Sequence, residues 1–295
     1  MHNRPYAAHE QLVAPARPRP ELWRLFLGIV TIAVVVFGFN TTLLAAIRSM
    51  APHQFANELM TGATPLAMIV LLSSFGFVIA GIALATRLLQ KRSLFSILGP
   101  AADTARQFWR VFRALLVLGA VLLILPPYDM GIPLVENLPP STWLLLLPVS
   151  LSVILIQTAA EEILFRGYLQ QSLAARFQSP LIWLCLPSLL FALGHYAPAS
   201  AGDNALLVAL WSGMFGLLAA DLTARSGTLG PAIALHLFNN AVALLVVSLP
   251  DNLSGLSLFI LPIDLSDTVG LREWLIVDFA MMIVGWLVAR VVLRR

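Results

Sequence analysis

Long apolar runs, separated by short stretches rich in arginine, proline and acidic residues, set the plan of this chain. A helix needs about 20 mostly apolar residues to cross a bilayer. Eight segments meet or approach that length: about 24–47, 64–88, 108–125, 142–165, 180–196, 204–224, 229–249 and 272–292, the third and fifth being short. The pattern predicts an all-α, polytopic membrane helical bundle of about eight transmembrane helices. No internal repeat and no soluble module are visible. The first residues, MHNRPYAAHEQLVAPARPRP, are polar and proline-rich, so residues 1–21 read as a disordered cytoplasmic tail and 22–295 as the integral membrane domain. The apolar run that follows is too long for a signal-peptide core and reads as a retained helix.

Composition agrees. The chain is 59% hydrophobic and 11% charged with a mean hydropathy of +0.87, against about 25% charged residues in soluble domains. Charge placement then orients the bundle, because positive residues collect on the cytoplasmic side. Arg4, Arg17, Arg19 and Arg24 precede the first span. Arg87, Lys91, Arg92, Arg106, Arg110 and Arg113 follow the second, Arg166 and Arg176 the fourth, Arg225 the sixth, and Arg290, Arg294 and Arg295 the last. The alternate loops hold Asp129, Glu136, Asp203, Asp251, Asp264 and Asp267, with Arg48 and Arg272 as exceptions. Both termini are therefore expected in the cytoplasm. Trp23, Trp109, Trp143, Trp183 and Trp274 stand near span starts, as interfacial aromatics do. The longest outside connection, Pro250 to Gly270, is apolar enough in its middle to lie on the membrane surface.

The single cysteine, Cys185, excludes an intrachain disulfide and a cysteine metal cluster. The net charge of +3 comes without a basic stripe interleaved with aromatics, so nucleic acid is not an expected partner. Lys91 is the sole lysine among many arginines, which points to bacterial genome composition and hence to the bacterial inner (plasma) membrane.

Within this apolar background the segment IQTAAEEILFRGYLQ stands out. Each ionisable side chain costs roughly 2.5–3.5 kcal/mol at membrane depth, so Glu161, Glu162 and Arg166 must face protein or a water-filled cavity. On a helix, Gln157 lies about 40° to one side of Glu161, and Thr158, Glu162 and Arg166 about 60°, 100° and 140° to the other. Glu162 and Arg166 have the i, i+4 spacing of an ion pair. Glu161 is then left without a local partner, and a desolvated carboxylate of raised pKa suits a general base near neutral pH. The bland alternative is a solvated cytoplasmic helix end, and this segment alone leaves the two readings even.

Two more spans carry polar residues. His195 lies one turn after Phe191 in the fifth, and His236 and Asn240 share a face of the seventh, with Asn239 beside them. Taken singly, each is more often an interfacial histidine or an interhelical hydrogen bond. Together they add two imidazoles and a carboxamide to the carboxylate, a full set for activating water and stabilising an oxyanion. No HExxH helix, nucleophile elbow or phosphate-binding loop is present.

Glu161-Glu162-Ile-Leu-Phe-Arg166, Phe191-Ala-Leu-Gly-His195 and His236-Leu-Phe-Asn-Asn240 resemble the three motifs of the CAAX prenyl protease and bacteriocin-processing family, usually abbreviated CPBP. All three match without departure, in order, and Gly167 fits the usual continuation. The resemblance covers about residues 142–249; residues 1–140 share only hydropathy. It implies an all-helical intramembrane endopeptidase acting on a peptide bond of a membrane-associated substrate, of CAAX type or in bacteriocin or peptide processing. Glu161 and His195 would activate water, His236 and Asn240 would steady the oxyanion, and Glu162, Arg166 and Phe191 would support the site. Metal dependence stays open. Glu161, His195 and His236 also suit a His₂–Glu zinc site, but Asn240, an uncommon zinc ligand, inclines the reading to a metal-free one, and no cofactor is assigned. The implied partners are the lipid bilayer and a peptide or membrane-protein substrate.

The rival from another class is a non-catalytic immunity or scaffold protein that binds a peptide partner. A transporter with a carboxylate proton relay is a third reading, but no paired repeats support it. One tension also stands. The spans as drawn put Glu161 and His236 toward the cytoplasmic half and His195 toward the other, unless the fifth span tilts or breaks at Pro187.

Overall fold

The computed structural model describes residues 5–125, 132–250 and 253–294. Arg4, Asp129, Asp251 and Arg295, used above to set the orientation, lie outside the described residues. All eight apolar segments are helical: Leu22–Met50 (α1), Pro65–Gln90 (α2), Ala101–Ile124 (α3), Pro140–Arg176 (α4), Pro180–Gly194 (α5), Pro198–Ser226 (α6), Gly230–Val246 (α7) and Gly270–Leu293 (α8). Six are long and apolar enough to cross a membrane, and α5 and α7 are shorter. The protein is a polytopic helical bundle, an integral membrane protein.

Of the two short helices, α7 is interior, whereas α5 leaves Leu181, Leu189 and Leu193 exposed. Every residue of α7 from Gly230 to Leu237 is buried, and a helix apolar all round belongs in a core rather than on a face. It packs on α3, α4, α6 and α8. The α5 helix has 15 residues, about 22 Å at the α-helical rise, and pairs closely with α6. Small residues permit that approach: an added Cβ on Gly216 would lie 3.0 Å from the Ser188 side chain.

The N-terminal tail departs from expectation. Residues 7–16 form three successive helical turns, with Leu12, Val13 and Ala16 at 0–2% exposure, rather than a disordered strand of chain. The polar composition hid a docking surface: Val13 sits in a socket of Leu173, Ala174, Trp183 and Ala224. The Tyr6 hydroxyl donates to Asp221 at 3.0 Å and the Gln11 amide to the Gly227 carbonyl at 2.9 Å. Asp221 also accepts from the Trp286 indole at 3.1 Å. The tail and the C-terminal part of α8 therefore meet at one end of the bundle, as an even number of crossings requires.

The opposite end carries a small sheet of Val135–Glu136 (β1), Val247–Ser248 (β2) and Phe259–Ile260 (β3), in the order β1-β3-β2. β1 pairs with β3 antiparallel and β2 with β3 parallel. The described part of the 250–270 connection is folded into this cap. Leu256, Leu261 and Ile263 are buried, and the Asn137 amide donates to the Ser254 and Ser257 carbonyls at 2.8 and 2.9 Å.

Candidate active site

The α4 helix does not end where its hydropathy fades. It is α-helical to Glu162, π-helical over Ile163–Leu169, and α-helical again to Arg176. The acidic pair thus sits within a continuous helix, not at a solvated end. Single π-helical turns inside α-helices are common at functional sites. Here the wider turn packs Gly167 against Ile97 so closely that a Cβ would collide with that side chain.

Arg166 Nη1 donates to Glu162 Oε1 at 2.8 Å, and the side chains are 1% and 0% exposed. This removes the bland reading for both residues. The guanidinium lies 4.7 Å from the Phe191 ring centre and 5.9 Å from those of Phe165 and Phe215. An arginine needs a carboxylate and, in the absence of water, aromatic faces to remain buried and charged. Phe191 therefore packs on the guanidinium of the buried pair.

The same oxygen of Glu162 is 2.7 Å from His236 Nδ1, and the other ring nitrogen, Nε2, is 3.5 Å from Glu161 Oε2. The carboxylate that pairs with Arg166 can only accept, so Nδ1 carries the proton and donates. His236 thus stands between the two carboxylates. Glu161 has a partner after all, drawn from α7, which a wheel of one helix cannot show. It is also the more accessible carboxylate, its side chain 16% exposed.

One turn further along α7, Asn240 Nδ2 donates to Gln157 Oε1 at 2.9 Å. Phe215 flanks His236 edge-on at 4.8 Å between ring centres. Neither Gln157 nor Phe215 had a role in the sequence reading. The signal for Gln157 was its place one turn before Glu161; Phe215 is an ordinary apolar position and gave none.

His195 stands apart. It caps α5, which runs through Pro187 without ending there, and its Nδ1 lies 2.8 Å from the Phe191 carbonyl. Its ring is 4.5 Å from the Phe191 ring, which in turn is 6.2 Å from that of His236. Phe191 thus lies between the His195 and His236 rings. Yet no hydrogen bond or ion pair joins His195 to Glu161 among the described residues. A metal fits poorly for the same reason: no three His, Cys, Asp or Glu side chains among the described residues are grouped to hold one. Glu161, His195 and His236 are not gathered into a ligand set.

A protein of Bacillus subtilis (strain 168) named uncharacterized protein YyaK is 24% identical over 191 residues, covering 61% of this chain and 60% of that protein. The chain thus aligns with about three-fifths of that relative's length. No solved structure matches. Residues 142–242 match the Rce1-like family, type II CAAX prenyl endopeptidase Rce1-like. That stretch holds Glu161, Glu162, Arg166, Phe191, His195, His236 and Asn240, so the segment that carries all three motifs is the one similar to the Rce1-like family.

Proposed function

We propose that this protein is an intramembrane endopeptidase that hydrolyses a peptide bond of a membrane-associated substrate, with Glu161 as general base. One observation carries the reading. Glu161 is the accessible carboxylate of a cluster whose other members, Glu162 and Arg166, are fully enclosed and committed to each other. Glu161 takes a proton from water as the water oxygen bonds to the substrate carbonyl carbon. The carbonyl oxygen becomes an oxyanion, and the amide of Asn240 is the neutral donor placed to receive it. The proton then passes to the leaving nitrogen, the C–N bond breaks, and a carboxylic acid and an amine result.

The geometry supports a different role for His236 from oxyanion donation. With its Nδ1 proton given to Glu162, its Nε2 faces Glu161 and suits proton sharing with the base. His195 meets the substrate from the far side of Phe191. Its Nδ1 contact with the Phe191 carbonyl leaves Nε2 for water or the scissile group. The match of residues 142–242 supports a CAAX-type substrate, whereas a bacterial source would favour a peptide that is not prenylated.

The test compares peptide termini in membranes holding the wild type or Glu161→Gln, which keeps shape and removes the base. Termini unique to the wild type name a substrate and its cut site. Loss of those termini by roughly 10²–10⁴-fold in rate is expected. A variant that processes as well as the wild type, or a scaffold-like partner bound equally by both with no cleavage, overturns the proposal.

A further inference from the structure

The α4 and α7 helices face each other through two rungs. Glu161 meets His236, and one turn back along α4 and one turn on along α7, Gln157 meets Asn240. We infer that Gln157 is a positioning residue that fixes which end of the Asn240 carboxamide faces the scissile bond. The inference deepens the proposed function and rests on it.

A carboxamide is nearly symmetrical in shape but opposite in polarity at its two ends. Turned one way, Asn240 presents N–H to a developing oxyanion. Turned the other way, it presents a carbonyl oxygen, which repels that charge. Rotamer packing alone discriminates weakly between the two. In the structure Gln157 presents Oε1 to Asn240, and at 2.9 Å that oxygen accepts from the amide nitrogen and so holds the first arrangement. One N–H is thereby pinned, and the second is directed about 120° from it by the planar geometry of the amide. Preorganisation of this kind is what makes an oxyanion donor effective, since nothing has to reorient as charge develops.

Burial supports the assignment. Gln157 is 7% exposed, and enclosing a carboxamide in an apolar bundle is costly unless it is hydrogen-bonded. It shares its helix face with the base, one turn from Glu161. A bond that merely held two helices together would also fit these facts, so the test separates positioning from packing.

Gln157→Met keeps an unbranched side chain of similar length and removes the acceptor. Turnover is measured per folded molecule in detergent micelles, with a farnesylated Cys-a-a-X fluorogenic peptide as probe and Glu161→Gln as the inactive control. About a tenfold fall in kcat with unchanged KM is expected, the order of one neutral hydrogen bond. That is less than the roughly 10²–10³-fold expected for Asn240→Ala, which removes the donor itself. Gln157→Met/Asn240→Ala should be no slower than Asn240→Ala alone, because Gln157 acts only through Asn240. A multiplicative loss in the double variant overturns the inference, as does a lowered melting temperature with wild-type kcat. Gln157→Leu, measured alongside, carries the same readouts if the methionine variant folds poorly. A wild type that matches Glu161→Gln in cleaving nothing counts against the proposed function and this inference together. Cleavage lost in Glu161→Gln but intact in Gln157→Met defeats this inference alone.

Discussion

Replacing Arg166 by methionine removes the one full positive charge bonded to Glu162. Methionine keeps most of the buried volume, so the loss is electrostatic rather than a cavity. Glu162, fully enclosed, would keep only its contact with His236. Stranding one member of a buried pair costs about 3–5 kcal/mol. Loss of the guanidinium over Phe191 adds roughly 0.5–2 kcal/mol. Native proteins have about 5–15 kcal/mol in total, so a fall in melting temperature on the order of 10 °C is expected. The assay is thermal unfolding of the purified protein in detergent, followed by fluorescence and by the monodisperse fraction on size exclusion. Glu162→Gln/Arg166→Met should recover more than half of the loss, because both buried charges go and the amide still bonds His236. An Arg166→Met protein that melts with the wild type would show the pair to be solvated, and a double variant no better than the single would show the cost to be packing.

Three further outcomes follow. Asn240→Ala should lower kcat by roughly 10²–10³ with substrate binding little changed, while Asn239→Ala does less; a loss of melting temperature with intact turnover would assign Asn240 to packing. Burial holds His9 of the docked tail neutral, its pKa pushed down to about 4 from 6.5. It is enclosed by Trp183 and Gln170, with Glu10 and Arg17 on its own segment and Asp221 and Arg225 beyond Tyr6. The free tail binds a proton below 6.5 that the docked tail refuses until about 4, so docking is at full strength above pH 6.5 and weakens as pH falls through that window, by about 2 kcal/mol at pH 5. Amide exchange of residues 7–16, corrected for intrinsic pH dependence, should rise at pH 5 in the wild type and not in His9→Gln. Finally, reporters fused at the N-terminus and within 253–263 should label opposite faces of the membrane, with the tail cytoplasmic; labelling on one face would overturn the even-numbered topology.

The eight helical segments were legible in the sequence because hydropathy is a local property, and each segment records its own passage through an apolar medium. The motif residues were legible too, since ionisable groups are costly at depth and stand out against leucine and valine. The i, i+4 spacing of Glu162 and Arg166 announced their ion pair, because both partners lie on one helix. What the sequence could not decide depends on approach between helices. A wheel of α4 left Glu161 unpaired, and only the packing of α7 brought His236 between the two carboxylates. The same packing gave Gln157 its partner in Asn240 and left His195 across Phe191 from the base. The tail misled for a related reason: its polar composition describes an isolated segment, whereas Leu12 and Val13 gain their order from a socket built by α4, α5 and α6. Local chemistry singled out the polar residues and the helices that carry them, and tertiary packing decided which of them touch, because a contact between helices is set by both surfaces at once.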